Sequence, residues 1–162
     1  MVAWVPRILV FVVGIGLVLH TREVAAAQPV AGPLLKVGFA ERDITPEPGM
    51  EVPGGYGKSF HRVFHDACKV RAAVFDDGKT RVALVGIDAL AIRRPSVEAA
   101  RKEIQARCGI APGSVLIGAS HSHTSGPTAM ILPGEYDDAS PLVRTLAYEK
   151  SSCADAKYLK HV

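Results

Sequence analysis

Two histidines, His121 and His123, stand one residue apart in the run Gly-Ala-Ser-His-Ser-His-Thr-Ser-Gly-Pro at 118–127, directly after a short apolar stretch. If 120–123 stays extended, alternate residues point to one side of the backbone and both rings face one small volume. Imidazole is a common metal ligand and carries a proton near neutral pH. The spacing by itself serves a ligand pair and a merely exposed pair equally well. A catalytic zinc takes three protein ligands and a water, and the other histidines do not visibly complete such a set. His61 and His65 lie in a stretch whose prolines and glycines argue against a helix presenting both. His20 falls in an amino-terminal apolar segment and His161 at the carboxyl-terminal end.

Residues this far apart from other donors need a scaffold that gathers strand ends. Leu35, Val37 and Phe39 alternate with Lys36 and Gly38, which predicts a first strand over 35–40. Residues 45–57 are rich in proline and glycine and predict neither helix nor central strand; such loops are functional or simply surface excursions. Strands at 70–75 and 81–88 flank Asp76-Asp77-Gly78-Lys79, a turn suited to a β-hairpin. Residues 82–87 are apolar on both faces, as in a central strand covered by helices on both sides. A helix over 95–107 starts at Pro95 and ends at Gly109, with Val97, Ala100, Ile104 and Cys108 at helical spacing. A strand over 114–119 completes a βαβ unit. The fold class is therefore α/β, a mixed sheet containing a β-hairpin and a βαβ unit. Ligands in such sheets bind beyond the carboxyl ends of parallel strands, where both Asp88 and His121 fall. Asp88 is placed to approach the imidazole pair as a ligand or as the group orienting one ring. A strand-end aspartate equally well caps the next turn.

The amino terminus carries Arg7, an apolar run over 8–19 and Ala25-Ala26-Ala27, the pattern of a secretory signal cleaved before Gln28. The apolar run is short for a membrane span, so export is preferred over an uncleaved anchor. Residues 28–33 read as a linker and 34–162 as one domain or part of one. The chain has 19 basic and 16 acidic residues, net +3, scattered without aromatic interleaving, which excludes nucleic acid as an expected partner. Three cysteines, Cys68, Cys108 and Cys153, allow at most one internal disulfide and match no zinc-ribbon spacing. Residues 154–162 read as the start of an amphipathic helix with neither cap nor terminator, so the chain reads as a fragment.

Taken in order, Asp43-Ile44-Thr45-Pro46, Gly55-Tyr56-Gly57, His65-Asp66, Ile87-Asp88 and Ser120-His121-Ser122-His123 through Gly126-Pro127 resemble the amino-terminal domain of neutral/alkaline non-lysosomal ceramidases, over about residues 37–130. The resemblance implies that the sheet is part of a larger ceramidase-like catalytic domain. It implies a Zn2+ cofactor and hydrolysis of the N-acyl bond of ceramide to sphingosine and a fatty acid. By that likeness His121 ligates zinc, His123 contacts the substrate or the developing oxyanion, and Gly55 and Tyr56 border the substrate pocket. The partner it implies is a ceramide-like lipid, with contact to a membrane surface through that substrate. One departure stands out: the family runs His-Thr-His-Ser-Gly-Pro, whereas Thr124 and Ser125 both intervene here before Gly126. The family's further zinc ligands, a histidine, a glutamate and a tyrosine, come from sequence beyond the matched region. Two alternatives remain: a related metal-dependent amidase or esterase with another substrate, and a non-enzymatic exported domain with a solvated histidine pair.

Overall fold

The turn at the centre of the chain forms because two aspartates bond their own backbone. The Asp76 carboxylate accepts from Gly78 N at 2.8 Å, and Asp77 Oδ1 accepts from Lys79 N and Thr80 N at 2.8 and 2.7 Å. Gly78 supplies the left-handed residue, φ +86°. In the computed structural model, which describes residues 34–55 and 57–162, this turn joins β2 (Lys69–Asp76) to β3 (Arg81–Ile87) as an antiparallel hairpin. The expected signal over 1–27, the linker over 28–33 and the role of Tyr56 lie outside the described residues. β1 (Lys36–Asp43) pairs antiparallel with β2 and continues past the apolar alternation through Glu41, Arg42 and Asp43. Charged residues are tolerated there because β1 is an edge strand, and Glu41 pairs with Lys69 and Arg71 on its neighbour.

After β3 the chain enters α1 (Arg94–Cys108), with Pro95 in its first turn and Gly109 as a left-handed cap, φ +68°. It then returns through a 3₁₀ turn to β4 (Val115–Ala119), parallel to β3. The sheet order is β1-β2-β3-β4, mixed and α/β as expected. Two clusters form the core on one face of the sheet. Ala83, Ile110 and Val115 pack with Val74, Val85, Ile104 and Ile117, while Ile44, Cys68, Ile87 and Ala89 pack with Val70, Ile92, Ala119 and Val162. Burial of a side chain such as Ile44 or Val115 contributes roughly 1.5–3 kcal/mol.

The opposite face corrects the expectation of cover on both sides of β3. Cross-strand register aligns Phe39, Ala73, Leu84 and Leu116 in one row, and Phe39, Leu84 and Leu116 are 80%, 43% and 62% exposed. Val37 and Val82 extend this bare apolar surface. No described helix covers that face.

The proline- and glycine-rich stretch is ordered by backbone pairing. Gly49 N donates to His61 O at 2.8 Å, His61 N to Met50 O at 2.9 Å and Val52 N to Ser59 O at 2.9 Å. Glu51 braces this loop: its carboxylate pairs with Lys58 and accepts from Cys153 N at 2.9 Å. Toward the carboxyl end lie α2 (Pro141–Thr145), a π-helical turn over Leu146–Lys150, and α3 (Ala156–His161). The expectation that 154–162 lacks a cap is also corrected, since Asp155 accepts from Tyr158 N at 2.7 Å at the start of α3. Tyr158, 2% exposed, donates its hydroxyl to Ile44 O, and Val162 reaches the core. All three cysteines are free. Burial pushes the Cys68 and Cys153 thiols above their usual range, so both stay protonated at neutral pH.

Candidate functional site

Beyond the ends of β3 and β4 the parallel ladder continues for a few residues. Ser120 N donates to Ile87 O at 2.9 Å and Ser122 N to Ala89 O at 3.1 Å, so 120–122 runs beside 87–90. His121 departs from the extended path expected for it: its φ is +63°, in the left-handed region. That conformation is uncommon for a residue with a Cβ, although histidine adopts it more readily than most. The two rings nevertheless meet. His121 and His123 lie with ring centroids 4.9 Å apart and planes at 90°. Alternation along a strand is therefore not what unites them; a backbone reversal at His121 and two hydrogen bonds do so.

Those bonds decide where the protons sit. His121 Nδ1 is 2.9 Å from Leu90 O, and His123 Nδ1 is 2.9 Å from Gly54 O. A carbonyl oxygen only accepts, so each Nδ1 carries the proton and each neutral ring keeps its lone pair on Nε2. Metal-ligating histidines are oriented in this way, by donating the other ring nitrogen to a carbonyl or carboxylate. The chemistry open to the pair is ligation through Nε2, or acceptance of a proton there. A neutral ring so arranged offers no donor at Nε2.

Asp88 does not orient either ring, which corrects that part of its expected role. Its Oδ2 accepts from Lys69 N at 2.9 Å and Arg71 Nη1 at 3.2 Å, so the carboxylate ties the end of β3 to the start of β2. The physical reason is competition: an adjacent backbone N–H and a guanidinium claim the carboxylate, while backbone carbonyls lie nearer the rings. Asp88 instead lines a cavity of about 700 Å3, together with His61, Phe64, Cys68, Ser122 and Thr124. Neither His121 nor His123 lines that cavity; the residues between and after them do.

A Cβ built on Gly55 would meet only Gly57 O at 3.8 Å and Ser59 Oγ at 3.9 Å, neither of them part of the histidine pair. The glycine that meets the His123 imidazole is Gly54. A Cβ built on Gly54 would lie 2.3 Å from both Cβ and O of His123. Sequence reasoning missed Gly54 and Leu90 because both act through backbone oxygen, to which side-chain type is no guide. Only the Pro-Gly-Gly run carried a signal, since consecutive glycines permit close backbone approach. His61 braces the backbone. It is buried, and its Nε2 bonds Ser125 O at 3.0 Å, fixing the segment after the pair. Ser125 is itself buried and donates to Ser122 O at 2.9 Å.

Two imidazole nitrogens fit part of a zinc ligand set. Among the described residues no group of three or more histidine, cysteine, aspartate or glutamate side chains is placed to hold a metal ion. They do not make a complete catalytic zinc site.

No protein-family signature and no curated protein matches the chain. Among solved structures, one titled as a ceramidase complexed with C2 aligns over 57% of this chain and 15% of its own, at 22% identity and a TM-score of 0.43. The neutral ceramidase from Pseudomonas aeruginosa aligns over 57% and 16%, at 19% identity and the same TM-score. The chain thus spans about one-sixth of the length of these structures.

Proposed function

We propose that the chain carries part of the active centre of a secreted, zinc-dependent hydrolase that cleaves the N-acyl amide bond of ceramide-like sphingolipids, releasing sphingosine and a fatty acid. The observation that carries this reading is the imidazole pair. Two rings in contact, each with Nδ1–H committed to a carbonyl, leave two Nε2 lone pairs free. The order of motifs from Asp43 to Pro127 supplies the substrate class. In this reading His121 is a zinc ligand, His123 stands beside the metal, and Gly55 and Tyr56 border the lipid. Zinc, when bound, would polarise the amide carbonyl and activate water. The described residues do not complete its ligand set, so the reading requires donors from a longer polypeptide. Secretion rests on residues 1–27, and membrane contact would come through the lipid.

The segment after the pair is one residue longer than the family pattern, with Thr124 and Ser125 both before Gly126, and this favours keeping a second substrate class in view. A related amide or an ester would then be cleaved. The test is zinc titration of this chain and of a longer polypeptide, followed by turnover of a ceramide, a simple fatty amide and a fatty ester. Stoichiometric zinc in the longer form with ceramide turned over fastest is the expected result. Absence of zinc binding in both forms ends the hydrolase reading, and preference for the ester ends the ceramide assignment.

A further inference from the structure

We infer that Gly54 is a positioning residue: its carbonyl fixes the proton of His123 on Nδ1 and thereby makes Nε2 the free nitrogen. Three observations carry this. The carbonyl lies 2.9 Å from Nδ1. The contact between the two residues leaves no room for a Cβ, which would stand 2.3 Å from His123 Cβ and O. The loop holding Gly54 is braced at its base by the Glu51–Phe60 bridge, the Lys58–Glu51 ion pair and the bond from Cys153 N to Glu51, while Pro53 beside it is fully buried. Gly54 therefore holds a fixed acceptor against a ring that is otherwise exposed.

The chemical consequence rests on the hydrolase reading, whereas the proton's position does not. With Nδ1–H committed, neutral His123 accepts at Nε2 and cannot donate there. It is suited to accept a hydrogen bond there from water or from a substrate hydroxyl or amide N–H. This differs from the oxyanion contact that the family resemblance implied.

The test is ring 15N correlation NMR on the metal-free full chain, at a pH where the imidazoles are neutral. Both histidines are expected as Nδ1–H tautomers. In Gly54→Ala the tautomer ratio of His123 should shift by about tenfold, the equivalent of one ordinary hydrogen bond. His121, held by Leu90 O, is the internal control and should not change. An Nε2–H tautomer for wild-type His123, or a His123 unchanged in a variant that keeps the His121 signal, overturns the inference. If Gly54→Ala does not fold, the wild-type coupling across the hydrogen bond between His123 Nδ1 and the Gly54 carbonyl decides: its presence supports the inference and its absence overturns it. Because no zinc and no substrate enter the measurement, its failure is distinct from failure of the proposed activity.

Discussion

His121 and His123 are near neighbours with different anchors, and the difference predicts different mutant behaviour. His121 hangs from Leu90, whose backbone follows β3 directly, while His123 hangs from the loop at Gly54. In a longer polypeptide that binds zinc, His121→Ala should lower metal affinity by more than the roughly 10–100-fold that loss of an outer-shell partner causes. His123→Ala should retain metal and lose turnover. Competition dialysis and ceramide turnover on the same preparations check this, and equal metal loss in both variants contradicts the division of roles. Tyr158 sets a second residue-level expectation. Burial, and next the negative charge that Cys68 carries once it ionises at high pH, push its hydroxyl well above the usual phenol range. A group whose folded pKa is raised contributes stability that is complete below its unfolded value, about 10, and is lost as pH rises beyond it. Tyr158→Phe, which leaves Ile44 O without its donor, should cost about 1 kcal/mol at pH 8. The gap to wild type should narrow above pH 10, and a gap that stays constant in urea titrations across that range would show that Tyr158 does not carry this pH dependence.

Elements were legible wherever a local period or a turn rule governed them. The hairpin, α1 and β4 follow from Asp76, Asp77, Gly78, Pro95 and Gly109, each of which acts within a few residues of itself. The loop over 45–57 was not legible, because its order comes from pairing with 59–61 and from Glu51 reaching Cys153. No local pattern encodes a contact of that separation. The same holds for the site: residue types marked His121 and His123, but the reversal at His121 and the carbonyls of Leu90 and Gly54 are properties of the folded backbone. Where a local rule does govern, it yields a clean test. Gly109 caps α1 at φ +68°, and nothing lies within 4 Å of the position its Cβ would take. Gly109→Ala should therefore destabilise through backbone strain alone, by about 1–2 kcal/mol. Thermal unfolding should show a lowered midpoint, and an unchanged midpoint would remove the left-handed cap from the account of α1.

At the scale of the whole molecule, the described residues finish the sheet on one face and leave the other bare. The alternation in β3 places Ala83 and Ile87 in the core and Val82 and Leu84 on the bare side, so apolarity on both faces was read correctly while the cover was not. Among the described residues, α1 lies on the side of Ala83, Ile110 and Val115, through Ile104 and through Arg101 bonding Val115 O. The row Phe39, Leu84 and Leu116 keeps its apolar surface in water, at about 25 cal/mol for each Å2 left unburied. A contiguous patch of this kind drives association of soluble chains, and among the described residues β1 and β4 add unpaired strand edges at its borders. The full chain should thus self-associate with rising concentration in sedimentation velocity. Phe39→Lys with Leu116→Lys should suppress that association while leaving the unfolding midpoint nearly unchanged, because exposed substitutions of this sort usually alter stability by no more than about 0.5 kcal/mol. A monomeric wild type at high concentration would mean that this face is shielded, and a double variant that associates as strongly as wild type would place the association elsewhere on the molecule.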